Sequence, residues 1–249
     1  MNQKIFNKIV KLNNDFYNKI KNEFDKTRLS QWNGWNRVGE IIAQNFKDQK
    51  VISILDVACG NGRFVKAVTP VKKGLPLFKY LGIDTNDYLL DQARKNSKEN
   101  KCIEFRNIDV INDLESLSPE TFDIVVAFGI THHIPSKEFR KKWFLDLSKL
   151  VSKNGLLIFT IWNYQTDERF EPAGDLGKNI KSDIKLEEGD YFLGWGNNKE
   201  AKRYFHKYSD AEILGIEEIL CSAGLKQISK FKSDGKNGKL NEYFVYKRS

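Results

Sequence analysis

The chain has 249 residues, of which 40% are hydrophobic and 30% are charged, a composition that is typical of a globular protein and excludes a chain disordered throughout. Its length suits one large domain, whose core needs neither a disulfide nor a metal to stabilise it. The formal net charge of +8, with basic residues concentrated in residues 137–142 and 225–249, favours a polyanionic partner and a merely solvated basic surface about equally.

Residues 1–48 are predicted to form a helical segment on the substrate side of the domain. Apolar residues at helical spacing predict an amphipathic helix over residues 2–25. A polar and aromatic loop follows this helix, and a second helix is expected over residues 36–47.

Residues 49–162 alternate between short apolar runs and helical patterns. Strands are predicted at Val51–Val57, Tyr80–Asp84, Ile103–Ile108, Phe122–Phe128 and Leu156–Ile161. Helices are predicted over residues 86–97 and 136–151, and a turn is predicted at Asn154–Gly155. Because strands that alternate with helices are joined by right-handed crossovers, this order predicts a mostly parallel sheet.

The remaining residues break this alternation and then close the sheet. Residues 163–209 are predicted to be an insertion or lid, because they are polar and carry glycines and aromatics. Residues 210–249 are predicted to form a helix near Asp210–Ala223 and a hairpin with strands near Leu225–Phe231 and Tyr243–Tyr246. The chain is therefore interpreted as one α/β domain, with a Rossmann-like, seven-stranded, mostly parallel sheet and helices on both faces.

Targeting and metal-binding signals are not recognised in the sequence. Its apolar stretches are shorter than the roughly 20 residues of a membrane span, and the N-terminus does not resemble a signal peptide, so no membrane partner and a cytoplasmic location are expected. The three cysteines, Cys59, Cys102 and Cys221, lie far apart, so neither a zinc site nor a disulfide framework is predicted.

The strongest motif lies where the first predicted strand ends, at Ile54–Arg63, which reads Ile-Leu-Asp-Val-Ala-Cys-Gly-Asn-Gly-Arg. Glycine allows the backbone to approach a ligand closely, and ligands of doubly wound sheets lie beyond the carboxyl ends of the strands. The motif lacks the Gly-Lys-Ser/Thr of a phosphate-binding loop, and Val65 stands where a dinucleotide fingerprint has its third small residue. S-adenosylmethionine, whose amino-acid end carries no phosphate, is the remaining alternative.

The motif resembles motif I of the class I S-adenosylmethionine-dependent methyltransferases, from which it departs at Ala58 and Asn61. Thr121–Phe128 resembles the fourth-strand motif of this class. The resemblance implies that residues 49–162 are the cofactor-binding core and that S-adenosylmethionine is the cofactor. It implies cofactor-binding roles for Asp56, Ala58, Gly60, Asn61, Gly62, Asp84, Thr85, Asp109, Val110 and Phe128.

Two acids carry the most specific of these expectations. Asp84 ends the second strand, where an acid can accept both hydroxyls of a ribose, although an acid at such a place is often only a helix cap. The resemblance implies that Asp109 meets the adenine amino group and that the backbone amide of Val110 meets the adenine ring. The alternative for Asp109 is an ordinary turn.

The outer segments resemble a narrower family, the eukaryotic tRNA (carboxymethyluridine) methyltransferases. Phe24–Trp32 resembles their Phe-x-x-Thr-Arg-x-x-x-Trp segment, Asn154–Trp162 their Gly-Gly-x-x-Leu-Ile-Tyr-x-Trp, and Arg203–Tyr208 their Arg-Tyr-Tyr-His; His132 and His133 fit their Ile-His-His. These enzymes methylate the carboxylate of 5-carboxymethyluridine at the wobble base. The resemblance implies a tRNA substrate and a possible partner, a small zinc-containing activator protein.

This chemistry suggests roles for the outer residues. A carboxylate is already ionised at neutral pH, so it needs a cation to orient it, and arginine binds carboxylates bidentately. Arg28, Arg203 and His132 are the catalytic candidates, and Trp32, His133, Trp195 and Tyr204 are predicted to bind the substrate. The alternatives are that the histidines are structural, that the aromatics pack the lid, and that Arg203 pairs with acids near Glu187–Asp190.

Two other functions remain open at this point. The first is a methyltransferase for a small metabolite or carboxylic acid, with an incidental basic surface. The second is a non-catalytic cofactor-binding protein that acts on a partner, against which the intact cofactor motifs argue.

Overall fold

The computed structural model of the chain describes residues 1–28, 30–68, 77–97, 100–163, 186–195 and 198–249. Helices within these residues are α1 (Gln3–Lys26), α2 (Gly34–Asn45), α3 (Arg63–Val68), α4 (Asp87–Asn96), α5 (Lys137–Lys149) and α6 (Asp210–Ser222). Strands are β1 (Val51–Val57), β2 (Leu77–Asp84), β3 (Ile103–Asn107), β4 (Phe122–Ala127), β5 (Val151–Trp162), β6 (Asp190–Trp195), β7 (Asn198–His206), β8 (Leu225–Ser233) and β9 (Asn241–Arg248).

Seven of these strands form one sheet in the order β3-β2-β1-β4-β5-β9-β8. The first five strands of the chain run parallel to one another, and β9 is antiparallel to both β5 and β8. The predicted Rossmann-like, mostly parallel seven-stranded sheet with its terminal hairpin is therefore confirmed. Because the order reverses between β1 and β4, the carboxyl ends of these strands leave a crevice of the kind in which α/β proteins bind ligands.

Helices cover both faces of the sheet, and each face has its own apolar core. On one face, Phe144 of α5 and Ile216 of α6 pack against the strands. On the other, Val38 of α2, Phe64 of α3 and Leu90 of α4 do so. Burying one such side chain stabilises the fold by roughly 1.5–3 kcal/mol. Because these strands are covered on both faces, their sequences are nearly continuous apolar runs.

Helix α1 begins after Asn2, whose side chain accepts a hydrogen bond from the backbone of Ile5 at 2.9 Å. Its buried side chains include Ile9 and Phe16, which confirms the predicted amphipathic helix. The helix packs against β7 and α4 rather than against the main sheet. None of the helices in the described ranges combines the length and the apolar character that crossing a membrane requires.

Two regions differ from the sequence-based expectation. The predicted insertion at residues 163–209 contains the antiparallel pair β6–β7, which has no period-two apolar pattern to predict it; residues 164–185 lie outside the described part. The predicted turn at Asn154–Gly155 is an irregularity inside β5, where Asn154 has a φ of +63°. A Cβ on Gly155 would lie 2.8 Å from the carbonyl oxygen of Ser152, so only glycine fits there.

Candidate active site

A cavity of about 1170 Å³ opens at the carboxyl ends of the parallel strands. Its walls come from the segments that follow β1, β2, β3 and β4, from one side of α1, and from the loop between β8 and β9. Ligand sites commonly have volumes of roughly 300–1,000 Å³, so the cavity has room for a nucleoside cofactor and a reacting group together.

The glycine turn after β1 forms one wall of this cavity, to which Ala58, Gly60 and Asn61, three of the predicted cofactor-binding residues, contribute. Gly60 has a φ of +54°, and its backbone N–H donates to the Asp84 carboxylate at 2.9 Å. Gly62 does not line the cavity. Its φ is +74°, and a Cβ there would lie 3.0 Å from the Cβ of Ala93, so Gly62 allows α4 to pack against the turn.

Asp56, the first acid of the motif, lies behind the cavity rather than in its wall. Its carboxyl accepts a hydrogen bond from the Tyr80 hydroxyl of the neighbouring strand. Burial raises the pKa of Asp56 to about 7, although the hydrogen bond from Tyr80 opposes this shift. The side chain therefore connects β1 to β2 beneath the cofactor turn and does not contact a ligand in the cavity.

Asp84 and Thr85, at the end of β2, are also predicted cofactor-binding residues that line the cavity. The Asp84 carboxylate accepts hydrogen bonds at 2.9 Å from the backbone of Gly60 and of Asn86, and burial raises its pKa. It is not the cap of α4, because Asn86 fills that position by accepting from Leu89. A carboxylate accepts about four hydrogen bonds, so Asp84 has capacity left for ribose hydroxyls.

Asp109 and Val110, after β3, also line the cavity. The Asp109 carboxylate accepts from the backbone of Ile111 at 3.0 Å and of Asn112 at 3.1 Å, so the acid also forms the turn that was its alternative interpretation. Acceptors thus follow β2 and β3 side by side, beside the glycine turn of β1. This donor and acceptor set fits a nucleoside whose ribose lies at Asp84 and whose base lies at Asp109.

Helix α1 forms another wall of the cavity, and the chain at its C-terminal end is hydrogen-bonded to the glycine turn after β1. The Asn61 side chain donates to the Asp25 carboxylate at 2.8 Å and to the backbone oxygen of Arg28 at 3.2 Å. Asn86 donates to Asn18 at 3.0 Å. The segment that precedes the sheet in sequence is therefore held by the residues of the predicted cofactor site.

His133 lies at the opposite end of the cavity, where Phe128 also borders the space beyond β4. The Nδ1 of His133 is 3.0 Å from the backbone oxygen of Tyr204, and its Nε2 is 2.8 Å from the Tyr17 hydroxyl. A carbonyl oxygen only accepts, so Nδ1 carries the proton and Nε2 accepts from Tyr17. Burial, with the nearby charge of Arg203, lowers the pKa of His133 to about 3.

His132 also lines the cavity and is buried. Its ring lies 5.0 Å from that of Trp162, and its Nδ1 has no hydrogen-bond partner. Burial, followed by the charges of His133 and Arg203, lowers its pKa well below the usual value. A base works best when its pKa is close to the working pH, so these values favour a structural role for both histidines over proton abstraction.

Arg203, on β7, is 5% exposed and lines the cavity. Its Nη1 donates to the Tyr17 hydroxyl at 3.0 Å, while its Nε has no partner. Its guanidinium lies 5.7 Å from the centre of the Phe16 ring and the same distance from the Trp162 ring. Among the residues that the structure describes, none places a carboxylate within ion-pair distance of Arg203.

The acids near Glu187–Asp190, the alternative partners of Arg203, contact other side chains. Asp190 accepts from Tyr204 at 2.6 Å and from His206 at 2.7 Å. Glu187 contacts Arg140 at 3.5 Å.

The remaining candidate residues on the substrate side differ in their position relative to the cavity. Trp32 and Arg28 line the cavity, with the Arg28 guanidinium 4.7 Å from the centre of the Phe24 ring. Tyr204 is fully buried outside the cavity, with its hydroxyl directed at Asp190, so it cannot stack on a substrate there. The Trp195 side chain lies outside the described part of the chain.

Two residues of the site were missed by the sequence analysis. Arg63 lines the cavity and donates to the backbone of Ser30 at 2.9 Å; burial, with the charge of Arg28, lowers its pKa to about 10. Tyr17 also lines the cavity. Tyr17 lies four residues after Asn13, so both polar side chains are on the same side of the helix. Polar residues on the buried side of an amphipathic helix are a signal in the sequence that could have identified Tyr17 as a site residue.

Comparison with known proteins finds a methyltransferase domain within the chain. Residues 55–159 match the family model of the methyltransferase domain. A putative methyltransferase of Encephalitozoon cuniculi (strain GB-M1) is 22% identical over 85% of each chain. The tRNA (carboxymethyluridine(34)-5-O)-methyltransferase of Xenopus tropicalis is 23% identical over 91% of this chain, which spans only 32% of that protein.

A solved structure has the same fold. The S-adenosylmethionine-dependent methyltransferase from Clostridium acetobutylicum ATCC 824 has a TM-score of 0.63 at 19% identity, over 94% of this chain and 99% of its own. The strands whose ends form the cavity are those that the methyltransferase domain matches. The matched domain and the shared fold support an S-adenosylmethionine-dependent methyltransferase, with S-adenosylmethionine as its cofactor.

Proposed function

We propose that the chain transfers the methyl group to a carboxylate on a modified wobble uridine of tRNA. The observation that carries this proposal is Arg203, a buried cation at the end of the cavity away from Asp84 and Asp109. Burying a charge without a partner is costly, and a bidentate carboxylate is the ligand that best offsets this cost for arginine.

The surroundings of Arg203 support a nucleophile that arrives already ionised. His132 and His133, whose pKa values the charge of Arg203 helps to lower, both have pKa values far below neutrality and offer no proton acceptor of suitable strength. Bound S-adenosylmethionine supplies an electrophilic methyl group on its sulfonium. A substrate carboxylate held by Arg203 needs no base, since its oxygen attacks without losing a proton.

Aromatic side chains give the cavity a second property that suits a nucleoside. Trp32, Phe128 and Trp162 all line it. Bases of single-stranded RNA are commonly bound by stacking on aromatic rings, at about 1–3 kcal/mol for each base. The Xenopus relative, named for methylation of carboxymethyluridine in tRNA, favours the same substrate class over a free metabolite.

The test is transfer of labelled methyl from S-adenosylmethionine to tRNA from cells that lack this gene, followed by nucleoside analysis. We expect label in a uridine derivative that mild base releases as methanol, since methyl esters hydrolyse whereas base and ribose methylations do not. Arg203→Lys should retain part of the activity and Arg203→Gln should lose about 100-fold or more, with cofactor affinity unchanged in both.

Other outcomes identify the alternatives. Base-stable label would show that a ring or ribose atom is the acceptor, and label in small carboxylic acids but not in RNA would identify a metabolite enzyme. A gain in activity with an added zinc-containing activator protein would establish that proposed partner. Cytoplasmic location remains a prediction.

A further inference from the structure

The loop between β8 and β9 borders the cavity, and its residues Gly235 and Leu240 line the cavity wall. Asp234 fixes the start of this loop. Its buried carboxylate accepts hydrogen bonds from the backbone of Gly34 at 2.9 Å, from Asn241 at 2.8 Å and from the Tyr243 hydroxyl at 2.6 Å. The loop is thereby tied to the first turn of α2, two residues after Trp32.

Backbone hydrogen bonds fix the remainder of the loop. The N–H of Leu240 donates to the oxygen of Asp234 at 3.1 Å, and the N–H of Asn163 donates to the oxygen of Leu240 at 2.7 Å. Side chains on this loop therefore have a defined position relative to the cavity.

Three basic residues belong to this loop and to the start of α2 that is tied to it, namely Lys236, Lys239 and Arg37, and we call them the basic rim. All three are exposed. Arg37 lies one helical turn after Gly34, with its guanidinium 4.4 Å from the centre of the Phe231 ring. No acidic partner of these three side chains is found in the described ranges, whereas Lys230, on β8, lies 3.8 Å from Glu217.

We propose that the basic rim binds the phosphate backbone of the RNA whose target base enters the cavity. This inference rests on the proposed function. Lysine and arginine contacts to phosphates position a nucleic acid without reading its sequence, and they supply a large share of its affinity. Because the loop is tied to Gly34, two residues after Trp32, phosphates held by the rim would place the neighbouring nucleotide near the entrance to the cavity.

The experiment measures tRNA binding by fluorescence anisotropy over a series of salt concentrations, separately from methyl transfer. We expect the double variant Lys236→Gln/Lys239→Gln to weaken binding about tenfold near physiological salt and to reduce the slope of log Kd against log salt by about 2. S-adenosylmethionine affinity and thermal stability should not change.

The matched control is Lys50→Gln/Lys153→Gln, which removes the same charge from exposed sites before β1 and at the start of β5, at the opposite edge of the sheet. This control should leave affinity within about twofold of the unmodified chain and its salt slope nearly unchanged. An equal loss in both double variants would overturn the proposal in favour of general charge attraction, and so would an unchanged slope in the rim variant.

The two proposals fail in different ways. A chain that binds tRNA through the rim but transfers no methyl to it would support the rim and contradict the proposed reaction. A chain that methylates tRNA equally well with and without the rim lysines, at the same KM, would support the reaction and contradict the rim.

Discussion

The hydroxyl of Tyr17 connects the two basic side chains at the substrate end of the cavity. It accepts a hydrogen bond from Arg203 at 3.0 Å and donates one to His133 at 2.8 Å. This arrangement fixes one edge of the Arg203 guanidinium. In the proposed reaction, the hydroxyl therefore positions the cation that binds the substrate carboxylate.

We expect Tyr17→Phe to lower kcat/KM for methyl transfer by about tenfold to a hundredfold, because it removes one partner from each of two buried polar groups. S-adenosylmethionine affinity should not change, since Tyr17 lies at the end of the cavity away from Asp84. Steady-state kinetics and calorimetric cofactor binding check this expectation.

Two variants separate positioning from a general loss of structure. Tyr88→Phe removes a hydroxyl from α4 and should leave kcat/KM unchanged. In an Arg203→Lys background, Tyr17→Phe should cost much less than it does alone, since the two residues act as one unit. Additive losses would mean that Tyr17 does not act through Arg203.

At this scale, the sequence predicted the residues that directly follow buried strands, such as Gly60, Asp84 and Asp109. Their places depend only on the end of a strand, which the apolar pattern shows. Tyr17 could not be placed in this way, because it lies 116 residues from His133 and 186 residues from Arg203 in the chain. Tyr204 falls outside the cavity because it faces the opposite way from its neighbour Arg203 on β7, and Asp56 does so because it lies within β1, before the turn that lines the cavity.

At the scale of elements, the β6–β7 pair is fixed to the core by a buried ionic cluster around His206. The Nδ1 of His206 contacts Asp190 at 2.7 Å, and its Nε2 contacts Glu212 of α6 at 3.1 Å. Glu212 also contacts Arg140 of α5 at 2.8 Å. Since Arg203 belongs to β7, this cluster helps to hold the substrate end of the cavity in place.

The cluster gives the fold a dependence on pH. Burial alone lowers the pKa of His206, but its hydrogen bonds to Asp190 and Glu212 raise the pKa above its usual value. The folded state therefore holds this proton more tightly than the unfolded state. This contribution to stability is complete below a pH of about 6.5 and is lost as the pH rises through the raised pKa.

We expect His206→Gln to lower the free energy of unfolding by about 3 kcal/mol at pH 6, with a smaller difference at higher pH. Urea unfolding over a series of pH values measures it. Glu218→Gln, an exposed change on the same helix, should alter stability by less than about 0.5 kcal/mol. Parallel stability curves for His206→Gln and the unmodified chain would show that His206 carries no charge in the fold.

Glu212 acts in the opposite direction. Burial opposes its ionisation, but His206, the Ser209 backbone and Arg140 lower the pKa of Glu212 to about 2. Its contribution is complete above a pH of about 4.5 and is lost as the pH falls towards 2. The cluster is therefore strongest between these two limits.

The central strands of the main sheet, such as β1 and β4, were predictable because each is a short apolar run bounded by polar residues or glycine. The β6–β7 pair was not, because it has its own small sheet, which packs against α1 and contacts Glu212 of α6 through His206. At Asn154–Gly155, the dipeptide typical of a turn lies within β5, where strand pairing with β4 shifts between Phe122 and Ile124. Tertiary contacts outweighed the local preference in both places.

On the scale of the whole molecule, the cavity is closed by segments from both ends of the chain. Helix α1 contributes Tyr17 and Asn18 to its wall, and the β8–β9 loop contributes Gly235 and Leu240. The mostly parallel sheet followed from the alternation of strands and helices, but its strand order and the position of these closing segments did not. It depends on single contacts such as Asn61 with Asp25 and Asp234 with Gly34.

Cofactor binding should therefore order segments that lie far from each other in sequence. Ligand that binds the folded state at a concentration of 100 times its Kd stabilises that state by about 2.7 kcal/mol. We expect S-adenosylmethionine to slow amide hydrogen exchange in the second half of α1 and in the turn after β1, and to leave the starts of β1 and β5 nearly unchanged. Asp84→Asn, which weakens the acceptor for both Gly60 and the ribose, should lose the cofactor effect at the same ligand concentration. Uniform slowing over the whole sheet, or protection that persists in Asp84→Asn, would mean that the cofactor does not bind between α1 and the strand ends.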